Sequence, residues 1–382
     1  NDLEADNCAA LYDARWNEAA AADVIPKLSS VLDSDDRDIL LRALRALVIV
    51  GPKASDVAPK IIRLLHSSEL WVFQAAAIAA CCSAGGLGSD GGGSVRWPAH
   101  CCGLAGLKPT PGRLSGAGHW PPILHPGGLL GVVGPLARTV EDVKILFDVM
   151  AGYDPRDPFS APVGPAALMP AKVGWMEAYP GVPVQPAIRA AVQKAVKALG
   201  ELRVEHEPFT PEGLEKMPNV WSFFFSELPA RSTKAMIAGR ENECHPLGLE
   251  FLEKALQAPE PTGTRTMEML IARDAMRGRL LAQMAKYPIL LWPAAGIEAF
   301  EHGQRRFATE GKDIGIFQMT MPLTAINLAG FPALTVPVML SGSGLPVGVQ
   351  LVGRPWEEER LLDLGMRLQE AVGSIGLAPL AS

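Results

Sequence analysis

Residues 86–115 read GLGSDGGGSVRWPAHCCGLAGLKPTPGRLS. Gly91, Gly92 and Gly93 run directly into Ser94. Glycines without a Cβ let the backbone approach a ligand closely. Consecutive peptide N–H groups can then turn into one concavity that holds an anion. A serine hydroxyl beside such a nest suits acyl transfer: the hydroxyl attacks a carbonyl and the N–H groups hold the oxyanion. Asp90 and Arg96 flank the run and carry opposite charges, so they can pair and brace the loop. Read alone, a glycine run with a serine also suits a phosphate loop or a tight turn. It lacks the G-K-[ST] ending of a Walker A loop. Arg96 stands where a G-x-S-x-G nucleophile elbow has its second glycine.

Downstream of this stretch, short apolar runs alternate with helical patterns. KVGWM (172–176), RVEHE, PILLW (288–292), ALTVPVM (333–339) and PVGVQLVG (346–353) read as strands. PAIRAAVQKAVKALG reads as a helix, as do stretches across 213–238, 247–257 and 264–286. In TVEDVKILFDVMAG (139–152), Thr139 is the expected N-cap, with Asp142 three residues on, close to a capping box. EEERLLDLGMRLQEAV closes the pattern with Leu361, Leu364 and Leu368 on one stripe. Alternating strands and helices predict an α/β fold around a mostly buried sheet.

Upstream, the texture is different. DVIPKL (23–28) returns as DVAPKI (56–61), and Leu32, Ser34, Ala43 and Ala46 return as Leu65, Ser67, Ala76 and Ala79. A period of about 33 residues built from paired amphipathic helices points to an α-solenoid. Residues 1–80 are therefore expected to form a short all-α segment similar to HEAT-type repeats. A protein partner docking on it follows from that reading. Residues 81–382 form the α/β domain.

Of 382 residues, 48% are hydrophobic and 20% charged, the balance of a globular protein, and the net charge is −6. There is no dense basic run, so nucleic acid is not an expected partner. No apolar run is long enough to span a bilayer. No leader pattern is seen, and the chain starts at Asn1 rather than Met, so a processed form or a fragment is expected. The six cysteines lack metal-ligand spacing and read as buried reduced thiols of a cytoplasmic protein. Three consecutive residues, His100, Cys101 and Cys102, cannot easily converge on one zinc ion, so no metal and no cofactor are expected.

The full string resembles the amidase-signature family, whose core is G-[TS]-D-x-G-G-S-[IV]-R-x-P-A followed by C-G-x-x-G-[FL]-K-P-T-x-G-R. The residues that match are Gly88, Ser89, Asp90, Gly92, Gly93, Ser94, Val95, Arg96, Pro98 and Ala99, then Cys102, Gly103, Gly106, Leu107, Lys108, Pro109, Thr110, Gly112 and Arg113. GPLARTVEDV (134–143), FPALTVPV and GLPVGVQLVG are similar to further blocks of the family. The likeness runs from about Leu87 to Gly373, and fatty-acid-amide-hydrolase-like amidases are the branch in view. It implies a mixed sheet flanked by helices. It also implies amide C–N cleavage by a Ser–Ser–Lys triad, with a small-molecule amide as substrate. Ser94 would be the nucleophile, the N–H groups of Gly91, Gly92 and Gly93 the oxyanion hole, and Ser89, Asp90 and Arg96 the loop supports.

The other two triad members do not have their expected residues. Where the family has a glycine-flanked bridging serine, the window here reads HSSELWVFQAAA, with Leu70 near the expected position. The nearby Ser67 is a repeat residue. The family's lysine would fall before Asn1, and Lys27 and Lys60 occupy matched repeat positions. The N-terminal third of the family domain is thus expected to be replaced by the repeats. His100, His119 and His125 are the histidines that follow Ser94 most closely. His66, His206, His245 and His302 read as surface or loop residues. Apolar residues in 217–237 and 119–130 suit an acyl pocket or a core. Three functions stay open: an amidase for a small amide, an arylamide or a fatty-acid amide; a non-catalytic repeat protein carrying an amidase remnant; and the transamidase branch, which works with partner subunits.

Overall fold

A computed structural model of the protein describes residues 26–27, 29–33, 85–119, 123, 127–168, 172–244, 246–301, 304–373 and 375. The chain divides into two compact units, Asn1–Leu87 with Pro135–Arg138, and Gly88–Gly134 with Thr139–Ser382. In the first, residues 26–27 and 29–31 are helical and Leu32 is buried. The rest of both repeats, with Leu70, Ser67 and Lys60, lies outside the described residues.

The second unit holds most of an eight-stranded mixed sheet. Its strands are β1 (Gly85–Asp90), β2 (Ala105–Lys108), β3 (Val132–Ala137), β4 (Lys172–Trp175), β5 (Glu205–Pro208), β6 (Ile289–Pro293), β9 (Ala333–Leu340) and β10 (Pro346–Gly353). Their order is β1-β3-β2-β9-β10-β6-β4-β5. At its centre β10 runs antiparallel to both β9 and β6, with Gln350 opposite Thr335 on one side and Trp292 on the other. β4 is parallel to β5 and β6. All of β10 and β6 is buried, which explains their continuous apolar sequences: helices cover both faces. Pro337 sits inside β9 although it cannot donate to the ladder. The register slips there, Gly348 facing Pro337 while Val347 faces Met339, and a bulge is where a sheet accepts proline.

The helices that bear on the site are α1 (Arg96–Cys102), α2 (Val140–Met150), α3 (Pro186–Glu201), α4 (Met217–Ser222), α5 (Ala230–Ile237), α6 (Pro246–Leu256), α7 (Gly263–Gln283), α8 (Ile316–Met319), α9 (Met321–Ala329) and α10 (Glu358–Val372). α1 lies on β9 and β10, α10 on β9, and α9 packs with α4 and α7. α2 starts at Thr139, the expected N-cap, whose Oγ accepts the Asp142 N–H at 3.0 Å; the Asp142 carboxylate accepts the Thr139 hydroxyl at 2.7 Å rather than the Thr139 N–H that a full capping box would use. α10 buries Leu361, Leu364 and Leu368, the stripe read from the sequence. A separate hairpin, β7 (Arg306–Thr309) with β8 (Lys312–Gly315), is not among the strands expected from periodicity. Its two-residue turn has positive φ at both Glu310 and Gly311, the twist a tight hairpin needs.

The main core gathers Tyr179, Trp221, Phe223, Phe224, Trp292 and Phe331 between sheet and helices. No helix among the described residues is long and apolar enough to cross a membrane.

Candidate active site

β1 ends at Asp90, and the chain passes through Gly91–Val95 into α1. Two of the glycines in this passage have no alternative. A Cβ on Gly92 would lie 2.6 Å from Cζ2 of Trp221. Gly93 has φ of +110°, and a Cβ there would lie 2.6 Å from Cδ1 of Leu323. The Trp221 indole also donates to the Gly91 carbonyl at 2.8 Å, fixing the loop from below.

The fold holds the loop through one buried ion pair. Arg96 Nε and Nη2 donate to the two Asp90 carboxylate oxygens, each at 2.9 Å, and neither side chain reaches solvent. Asp90 also accepts the N–H of Gly93 at 2.7 Å and of Val95 at 3.3 Å. Arg96 further donates to the side-chain oxygens of Gln350 and Asn327 and to the Leu323 carbonyl. Asn327 Nδ2 in turn reaches Asp90 and the Leu130 carbonyl. A buried pair is tolerable only when its remaining donors and acceptors are satisfied, and here they are. Burial pushes the Asp90 carboxyl up, but the Arg96 charge and hydrogen bonds, with those of Asn327, hold it well below the usual carboxylate range. Lys108, fully buried with Nζ on the Pro109 carbonyl at 2.9 Å, is pushed down to about 7 by burial and the Arg96 charge.

Ser94 is exposed at the end of this braced loop. Its hydroxyl has no hydrogen-bond partner among the described residues. Of the three glycine N–H groups named from the sequence, that of Gly93 is donated to Asp90. Those of Gly91 and Gly92 have no acceptor among the described residues. Ser89 lies half-buried in β1. The structure therefore brings Asp90, Arg96 and the loop together, with Ser94 at its open edge.

His100 is engaged elsewhere than at Ser94. It is wholly buried in α1; its Nε2 donates to the Ile297 carbonyl at 2.9 Å and its Nδ1 accepts the Gly348 N–H at 3.1 Å. Both ring nitrogens are thus taken, and burial pushes the ring towards its neutral form. It is neither a base for Ser94 nor a metal ligand. His119 closes a turn, its backbone N–H on the Gly116 carbonyl at 3.1 Å. His206 bonds the Val204 carbonyl on the β5 edge, and His66, His125, His245 and His302 lie outside the described residues.

Asn327 and Gln350 are site residues that the sequence reading missed. The signal was present: each is a lone amide in an otherwise apolar element, LTAINLAG and VGVQLVG, and a buried amide needs a polar partner.

The chain and its fold have relatives among known proteins. The amidase family model matches residues 74–362, and the chain belongs to that family. A glutamyl-tRNA(Gln) amidotransferase subunit from Picosynechococcus sp. is 31% identical over 329 residues, covering 78% of this chain and 66% of that protein. Its counterpart from Deinococcus radiodurans is 31% identical over 336 residues, covering 79% and 67%. Among solved structures, 6-aminohexanoate cyclic dimer hydrolase with substrate superposes with a TM-score of 0.65 at 27% identity, covering 81% of this chain and 68% of that one. The chain thus spans about two thirds of the length of the curated relatives it matches.

Proposed function

We propose that this protein cleaves the C–N bond of an amide, with Ser94 as nucleophile. Ser94 Oγ adds to the amide carbonyl as its proton passes, through water, to the amide nitrogen. The carbonyl oxygen, now negative, is held by the N–H groups of the Gly91–Gly93 loop, Gly91 and Gly92 being the two with no acceptor of their own among the described residues. The C–N bond then breaks, the amine leaves with a proton, and water frees the acyl group from the serine ester. Ser89, Asp90 and Arg96 keep the loop in place, and Asp90 and Arg96 do so without touching the substrate. The observation that carries this reading is an exposed serine at the edge of a loop held by the buried Asp90–Arg96 pair.

A fluorophosphonate probe tests it, with bound mass located by peptide mapping in wild type and Ser94→Ala. Labelling of Ser94 that the variant loses supports an activated serine. No labelling of a folded wild type, shown by an intact cooperative melt, overturns the reading and leaves a non-catalytic member of the family, whose function would rest on the HEAT-like segment. A second reading has a specific observation behind it: the curated relatives are amidotransferase subunits. In that case the amide nitrogen leaves as ammonia for a partner subunit. Ammonia release that rises only in a complex would favour it. The cytoplasm is the compartment we infer, on the unpaired thiols of Cys101, Cys102 and Cys244.

A further inference from the structure

Three consecutive phenylalanines follow α4 in a π-type turn, Phe223–Glu227, closed by the Leu228 N–H on the Phe223 carbonyl at 2.9 Å. Such widened turns re-aim side chains and often sit at functional sites. Here Phe223 and Phe224 enter the core, while Phe225 is left 42% exposed. Phe225 stacks on Trp221, centroids 4.5 Å apart and planes 17° apart. Its ring edge is 3.6 Å from where a Cβ of Gly91 would stand, so it lies against the loop that carries Ser94. The row continues outward: Phe251 lies 6.2 Å from Phe225 and stacks on Phe317 at 4.8 Å, and Phe317 is 47% exposed. The four rings come from α4, the π-type turn, α6 and α8, so no single helix pattern requires this row.

We propose that this aromatic ladder holds an aromatic ring of the substrate, so that the amide taken at Ser94 carries an aryl group beside its C–N bond. Core packing alone would bury Phe225 as it buries its two neighbours. Instead Phe225, against the glycine loop, and Phe317, at the outer end of the row, both stay exposed. An aromatic face prefers a flat ring, stacked or edge-on, over a saturated one of equal size, because the quadrupoles add to the area buried. An arylamide is therefore favoured over a fatty-acid amide, whose flexible chain gains nothing from the row's flatness.

The inference rests on the Ser94 reading for chemistry, but binding separates the two. Ligand-observed NMR would give dissociation constants of benzamide and cyclohexanecarboxamide for wild type, Ser94→Ala, Phe225→Leu and Phe317→Leu, with ammonia release followed in parallel. The ladder predicts benzamide binding about ten-fold tighter than its saturated twin in wild type and Ser94→Ala. The preference should fall to near parity in Phe225→Leu, with cyclohexanecarboxamide binding unchanged as the sign of an intact fold. Equal binding in wild type, or a ring preference that survives both leucine variants, overturns it. Ring-selective binding without ammonia release upholds the ladder and overturns the hydrolase reading instead.

Discussion

Arg96 donates to four side chains or carbonyls and has no route to water, so its neighbours carry its whole solvation. Replacing Asp90 by Asn leaves that guanidinium charge without its counter-charge. Loss of about 3–5 kcal/mol is expected in a denaturant titration. Ser94→Ala removes an exposed hydroxyl with no partner among the described residues, and its stability should stay within about 0.5 kcal/mol of wild type. Lys108 gives a pH test. Its folded value of about 7 lies below the ordinary 10.5, so above pH 7 the unfolded chain binds the proton that the folded chain has lost. Stability should therefore rise between pH 7 and about 8.5, by up to about 1.4 kcal/mol per pH unit. Chemical denaturation across that range should show the rise in wild type and a flatter profile in Lys108→Met. Cys101, pushed up to about 12 by burial, opposes the rise only beyond that window.

At the scale of elements, α2 offers a clean measurement. Thr139→Ala deletes the oxygen that takes the Asp142 N–H, and a loss of about 1 kcal/mol is expected by thermal melting. The same helix shows what the sequence makes legible. Thr139 and Asp142, the leucine stripe of α10 and the apolar runs of β6, β9 and β10 are local patterns, and each appears where it was read. β1 was not readable as a strand: GGLGSD has almost no side chains to alternate, so no period exists to detect. The β7–β8 hairpin escaped because Glu310 takes a turn position usually given to Asn or Gly. The site was half legible. Asp90, Ser94 and Arg96 lie within a few residues, whereas Asn327 and Gln350 join them only through the fold.

At the scale of the whole molecule, the sheet order decides what can be near Ser94. β2 and β9 are neighbours although far apart in sequence, and that pairing carries α9 and β10 to the loop. A variant that loosens α9, such as Leu323→Ala, should therefore act on Ser94 through Gly93, against which Leu323 packs. It empties the space above Gly93 and costs about 2–5 kcal/mol. Fluorophosphonate labelling should slow even at temperatures where the variant remains folded, whereas a substitution on the far face of α10 should leave the labelling rate unchanged.

The Asp90–Arg96 brace also sets a clock. Its partners Asn327 and Gln350 stand 231 and 254 residues after Arg96. A ribosome adding about 5–20 residues per second needs roughly ten to fifty seconds to deliver them. Through that interval the nascent chain carries Ser94 on an unfastened loop, with Arg96 still wetted by solvent. The set of partners is complete only when the last strand has emerged, so a chain cut short before Gln350 carries the whole 86–115 signature without the last of the groups that hold Arg96.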